Sequence, residues 1–214
     1  MPTSKELIKE LFTLVTREFQ QAGWVRRKPT INVYSTDLSV DAYGWVGLNR
    51  AVLRGQGIVE INPVVGVGHH KIEKLFAELQ GLKWQPYATA VITTNIGYLM
   101  PDRRYHAWFF SRGESTEQVA KDMVETIEEF GGQFLRANTD LTTLCETMRN
   151  SGLGMPHLLE YRIPIAYTLL ARCREAEAFV ESTLNNIGSR ADMAAETYRE
   201  FVIRLREYMS GDST

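Results

Sequence analysis

Tyr43-Gly44-Trp45-Val46-Gly47-Leu48-Asn49-Arg50-Ala51-Val52-Leu53, followed after Arg54-Gly55-Gln56 by Gly57-Ile58-Val59-Glu60-Ile61-Asn62-Pro63-Val64-Val65, is the stretch that decides the fold. Both runs are rich in β-branched and aromatic residues, and glycines punctuate the gap between them, which is how two strands joined by a turn read in sequence. In the first run Trp45, Gly47, Asn49 and Ala51 share one side and Val46, Leu48 and Arg50 the other. Upstream, Pro29, Asp37 and Asp41 bracket a further strand over Thr30–Thr36. Downstream, Tyr87–Ile96 and Tyr105–Phe110 complete the set, separated by Gly97-Tyr98-Leu99-Met100-Pro101-Asp102. Short strands of this kind, closely spaced and turn-linked, predict an antiparallel sheet.

Helical patterns flank the strands. Thr3-Ser4-Lys5-Glu6 has the spacing of a capping box, in which hydroxyl and carboxylate satisfy the orphan donors of a helix start. Leu7, Leu11, Leu14, Val15 and Phe19 then form an apolar stripe to about Ala22. Gly23 is placed to stop that helix, and Trp24 follows as a plug between helix and sheet. A helix from His69 to Leu79 carries Ile72, Leu75, Phe76 and Leu79 and ends at Gly81. Beyond Ser111-Arg112-Gly113, Ser115-Thr116-Glu117-Gln118 offers a second capping box. It opens a helix whose core residues Val119, Met123, Ile127 and Phe130 face away from Glu117, Asp122, Glu125, Glu128 and Glu129, with Gly131-Gly132 expected to interrupt it. Further helices are expected over Leu141–Arg149, Pro164–Arg172, Arg174–Ile187 and Asp192–Met209. The fold class is therefore α+β, an antiparallel sheet packed with helices followed by a helical C-terminal region. The expected division is an α+β domain over 1–150 with helices 151–214 packed on it, or one domain over 1–214.

The 214 residues, 44% hydrophobic and 23% charged, suit a globular protein rather than a disordered one. A net charge of −2 argues against general nucleic-acid binding. No apolar run approaches a membrane span, and Lys5, Glu6, Lys9 and Glu10 break the first helix where a signal peptide would be apolar, so a cytoplasmic location is expected. Cys145 and Cys173 sit in apolar helical patterns without metal-ligand spacing, and both read as reduced, small core residues.

Candidate chemistry is sparse. Gly66-Val67-Gly68-His69-His70 stands at a strand-to-helix junction where backbone donors could hold an anion, with Arg103 and Arg104 as supporting cations. It lacks the third glycine of a dinucleotide fingerprint and the Gly-Lys-Ser/Thr of a phosphate loop, and on the plainer reading the glycines make a tight turn and the histidines an exposed first helical turn. His69 and His70, four and three residues before Glu73, could approach it on one helix, but a zinc site would need a further ligand from elsewhere, and no metal or cofactor is expected. Asp102 and His106 could form an acid/base pair. No nucleophile elbow occurs, so no catalytic residue is assigned. The basic clusters Arg26-Arg27-Lys28 and Arg103-Arg104 fall in turns beside Trp24, Tyr105 and Trp108, a mixture that can grip single strands, but five positive charges on a net acidic chain read first as solvated turn residues.

The order of elements resembles a bacterial domain-of-unknown-function family, some members of which occur beside polymorphic toxins and are read as immunity proteins. The likeness lies in the helix ending at Gly23-Trp24, the Ile58-Val59-Glu60-Ile61-Asn62-Pro63 strand, the Trp108-Phe109-Phe110 strand, and the acidic helix ahead of Tyr161-Arg162-Ile163-Pro164. The resemblance implies a cytosolic protein that neutralises a toxin by binding it. Three readings follow. The first is a non-enzymatic immunity or inhibitor-type protein that meets a basic toxin through Glu117, Asp122, Glu125, Glu128 and Glu129. The second is a small-molecule or nucleotide-handling enzyme using Gly66–His70 with Arg103, Arg104 and His106. The third is a scaffold or homo-oligomerisation module using the C-terminal helices.

Overall fold

The computed structural model describes residues 4–28, 32–53, 57–111 and 116–211. Two compact units result: Met1–Val67 with Thr93–Thr139, and Gly68–Ile92 with Asp140–Thr214. The division follows packing rather than chain order, so it differs from a single cut at 150. Among the described residues no helix is long and apolar enough to cross a membrane.

The first unit is the α+β part. Helix α1 (Ser4–Gln21) is followed by β1 (Val25–Lys28), β2 (Val33–Asp37), β3 (Ala42–Leu53) and β4 (Ile58–His69), whose last residues enter the second unit. The capping-box residue Thr3 lies outside the described residues. Gly23 takes φ +86°. There Gly23 N donates to Gln20 O and Trp24 N to Phe19 O, the paired bonds that close a helix through a left-handed residue. That closure sends Trp24 inward. Its ring meets Phe19 edge-on at 5.9 Å and lies where a Cβ on Gly44 of β3 would stand 3.2 Å from it, so Trp24 is the expected plug. Phe19 also stacks on Tyr34 at 4.2 Å, and the Tyr34 hydroxyl is bonded to Thr16 at 2.8 Å.

The sheet runs β1-β2-β3-β4-β5, with β5 at Ile92–Asn95, and β6 (Trp108–Phe110) pairs with β4. β1–β2, β2–β3 and β4–β6 are antiparallel, for example Ser35↔Trp45 and Ile61↔Trp108. Residues 26 and 27 belong to strand β1 and not to a turn; Arg27 Nε donates to the buried Ser35 hydroxyl at 2.6 Å. β3 fails to alternate because residues 42–48 are covered on both faces, while 49–52 are exposed on both.

Three strands are shorter than their sequence reading, while β4 runs on past Val65 to His69. Thr30–Thr36 becomes Val33–Asp37, with Thr30 and Ile31 outside the described residues. Tyr87–Ile96 shrinks to Ile92–Asn95: Tyr87 takes φ +58°, and the Ala90 carbonyl accepts from an arginine side chain. Tyr105–Phe110 shrinks to Trp108–Phe110, since the His106 carbonyl accepts from Asn62 Nδ2 at 2.5 Å.

After β6 come α3 (Thr116–Thr126), a π-helical turn (Ile127–Gly131) and α4 (Gly132–Ala137). Gly131 and Gly132 do not interrupt the helix as the sequence suggested. Both keep helical dihedrals, and Gly131 packs against Val65 and Ile96. The buried line is Ala120, Met123, Val124, Ile127 and Leu135, so Val119 and Phe130 are only partly covered. Ser115 of the second capping box lies outside the described residues.

The second unit is helical: α2 (His70–Leu79), α5 (Leu141–Asn150), α6 (Pro156–Leu169), α7 (Cys173–Ile187) and α8 (Met193–Ser210). Its centre is α6, in contact with each of the other four. Residues 162–167 of α6 are all buried, the mark of a helix surrounded by others. The sequence reading began this helix at Pro164. Instead Pro156 occupies its first turn, where a missing N–H costs nothing, and Pro164 lies inside it. α2 ends as α1 does, with Gly81 N on Glu78 O and Leu82 N on Ala77 O, and Arg204 Nη1 of α8 caps the Leu79 carbonyl at 2.8 Å. Asp140 caps α5 by accepting from the Thr142 and Thr143 amides, first from Thr143, which holds its carboxyl below the usual range.

A charge is buried in this unit. Arg162 is 2% exposed, and its Nε lies 2.8 Å from Glu73 Oε1 of α2. Its Nη1 donates to Ala90 O at 3.3 Å and its Nη2 to Thr89 at 3.0 Å; Thr89 in turn donates to Glu73. One side chain thereby ties α6, α2 and the segment entering β5. The two cysteines separate. Cys145 is buried, and desolvation pushes its thiol up to about 11, whereas Cys173 is exposed at the start of α7 and is not the core residue its pattern suggested.

Two outcomes follow. Arg162→Met should lower unfolding free energy by about 3–5 kcal/mol, because it strands Glu73 in the interior, while the same change at half-exposed Arg206 should cost about 1 kcal/mol or less, read by urea denaturation. Thiol titration of the native protein at pH 8 should find only Cys173, with Cys145 reacting after denaturation.

Candidate functional site

The acidic residues of α3 and the π-helical turn do not form a free strip of charge. Glu117 is paired with Arg17 of α1 at 2.6 Å, and Arg17 also holds Glu18 at 2.9 Å. Asp122 accepts from the Trp108 indole at 2.7 Å and Glu128 from the Trp24 indole at 2.5 Å. Glu125 stands 3.7 Å from Lys121 one turn back. Two of these carboxylates therefore serve the fold, since each satisfies the only polar group of a buried tryptophan.

What the remaining residues make is a groove. α1 and α3 lie side by side, and between them opens a cavity of about 540 Å³. Glu18, Gln21 and Ala22 form one wall, with Val124, Glu125, Glu128 and Glu129 opposite. Ala22 and Val124 give it an apolar patch, and Lys121 is the cation among its lining residues. The π-helical turn contributes to this: by accommodating an extra residue it presents Glu128 and Glu129 together on the groove side while Ile127 and Gly131 stay buried. Chemically the groove offers carboxylate acceptors around a small hydrophobic contact, a surface for lysine or arginine beside an aliphatic side chain. The α1 wall was not found from sequence. Glu18, Gln21 and Ala22 do lie off the apolar stripe of α1 at spacings of three and four, but nothing local says that α1 adjoins a helix some hundred residues later.

The other sequence candidates are placed differently. Gly66 and Gly68 are not a tight turn: β4 runs through them and passes directly into α2, with no loop between. His69 is 4% exposed in place of sitting on an open helical turn, and His70 packs edge-on against Tyr87 at 4.9 Å. Glu73 is committed to Arg162 and Thr89. Arg103 is exposed with φ +46°, and Arg104 pairs with Asp102 at 3.0 Å. His106 packs on Trp108 at 4.4 Å, and no hydrogen bond joins it to Asp102 among the described residues. Among the described residues no group of three His, Cys, Asp or Glu side chains could hold a metal ion.

Comparison of the chain with known protein families, curated proteins and solved structures finds no match. The functional reading therefore rests on the site itself.

The two neighbouring glutamates should behave differently. Glu128→Ala should cost about 1–3 kcal/mol by leaving the Trp24 indole N–H buried without an acceptor, and Glu129→Ala should fall within about 0.5 kcal/mol of wild type, both measured by chemical denaturation followed through tryptophan fluorescence.

Proposed function

We propose that this chain is a non-enzymatic binding protein that captures a basic protein partner in the groove between α1 and α3. The observation that carries the reading is the groove's composition: Glu18, Glu125, Glu128 and Glu129 surround an apolar patch, against Lys121 alone. A partner segment bearing lysines or arginines next to one aliphatic anchor would bury the anchor on Ala22 and Val124 and set its cations at the rim. Such charge complementarity raises association rates and rejects acidic competitors more than it adds affinity. Neutralisation of a basic toxin is the form of this activity that the layout resemblance points to. The exposed Glu125 and Glu129 are the residues with which to test it, because Glu117 and Glu128 are bound to Arg17 and Trp24.

Affinity purification from native lysate at low salt should retain one stoichiometric basic protein on wild type. Glu125→Lys/Glu129→Lys, with an unchanged denaturation midpoint, should lose it, and the complex should weaken as salt rises. Retention of the same protein by the double variant removes the groove from the reading; failure of wild type to retain any protein removes the binding function.

A further inference from the structure

The second unit holds a cavity of a different kind. It measures about 400 Å³, opens between α6, α7 and α8, and is within the range of small-molecule sites. Ala194 and Ala195 face it from α8, and their small side chains leave the space open.

Pro164 determines its hydrogen-bonding character. With no N–H, Pro164 cannot bond the carbonyl four residues earlier, that of Glu160. The Tyr198 hydroxyl of α8 takes the place of that donor, at 3.4 Å from Glu160 O. Burial pushes the Tyr198 phenol up to about 12, so at neutral pH it keeps its proton and spends it on this carbonyl. Thr183 also bonds the Tyr198 oxygen, which toward the cavity can only accept. The Glu160 carboxylate, also an acceptor only, has no ion pair and no side-chain hydrogen bond among the described residues.

The cation at the rim is already matched. Arg190 is held by both oxygens of Asp192, at 2.9 and 3.2 Å, and Asp192 also caps α8 by accepting from Ala195 N. Arg199 fixes the same loop, donating to Gly188 O at 2.8 Å and Arg190 O at 2.7 Å. The rim is thus preorganised; Glu160 is exposed there, feels Arg190 at longer range, and supplies a carboxylate with no direct ion pair among the described residues. The wall is aromatic: Tyr161 meets Tyr198 at 5.2 Å and Phe201 at 4.8 Å, and lines the cavity beside Ile187.

We propose that this cavity binds a small organic amine, with its ammonium group at the Glu160 carboxylate and the Tyr198 oxygen and its apolar body against Tyr161 and Ile187. An ammonium supplies the direct ion pair that the Glu160 carboxylate lacks among the described residues, and an aromatic wall attracts a cation further. The site lies wholly within the second unit and is independent of the acidic groove.

Calorimetric titration and thermal unfolding of the full chain with phenethylamine, against its neutral isostere 2-phenylethanol, test this. Saturable binding of the amine at millimolar concentration or below, a rise in Tm with amine concentration, and little effect of the alcohol are expected. Glu160→Gln should weaken amine binding about tenfold or more through loss of a charge-assisted contact, and Ala194→Leu, at an exposed position, should fill the space and abolish it. Circular dichroism establishes that both variants fold. Equal response to amine and alcohol, undiminished affinity in either folded variant, or no saturable binding by phenethylamine, tyramine or benzyltrimethylammonium overturns the proposal.

Discussion

A guanidinium 2% exposed in the middle of a helix cannot stand without a counter-charge, and the second unit is organised around the one it has. Arg162 draws Glu73 of α2 to α6 and holds Thr89 and Ala90 against the same helix. That single side chain explains several things at once. It shows why the chain before β5 does not extend the strand, since the Ala90 carbonyl is taken, and why α6 can be surrounded by four helices yet carry a charge on its buried length. It also shows why segment 68–92, which a linear reading assigns to the sheet region, belongs with the C-terminal helices.

The first unit is held by a different logic. There the tryptophans are the fixed points, and the acidic helix comes to them. Trp24 is aimed inward by the left-handed closure at Gly23, Trp108 by its place in β6 opposite Ile61, and each finds a carboxylate acceptor on the helix that passes over it. An indole N–H buried without an acceptor costs about 1–3 kcal/mol, and Asp122 and Glu128 supply one while remaining exposed. Acidity on this helix is therefore partly a structural requirement, and the groove uses the glutamates that the tryptophans do not need together with one that they do.

The fold class was legible because it rests on local signals: apolar periodicity, glycine stops at Gly23 and Gly81, and turn-bracketed strands. The parts that escaped depend on partners far away in the chain. Pro164 reads as a helix start in isolation, whereas inside α6 the Tyr198 hydroxyl, brought from α8, bonds the Glu160 carbonyl that it leaves open. Gly66 and Gly68 read as a turn because glycine is a turn residue by default, yet extended backbone accepts them as well. Strand β1 was hidden by its basic residues, although Arg27 reaches Ser35 and the backbone pairs with β2. Of the candidate groove the α3 wall was visible as a run of carboxylates. The α1 wall was not, because a helix's polar face looks the same whether it borders water or another helix.

The π-helical turn at Ile127–Gly131 gives this region a particular sensitivity to length. An α-helix advances about 100° per residue, so one residue more or fewer turns everything beyond it by that angle. The widened turn absorbs one residue's worth of rotation, allowing Met123 and Leu135 to point into the same core although the helix between them does not keep strict α periodicity. Natural variation that deletes a single residue there would restore regular winding and leave both flanks helical. It would also swing Glu128 and Glu129 off the groove and carry the Trp24 acceptor away with them. Chain length across five residues, more than the identity of any one of them, sets which way this surface faces.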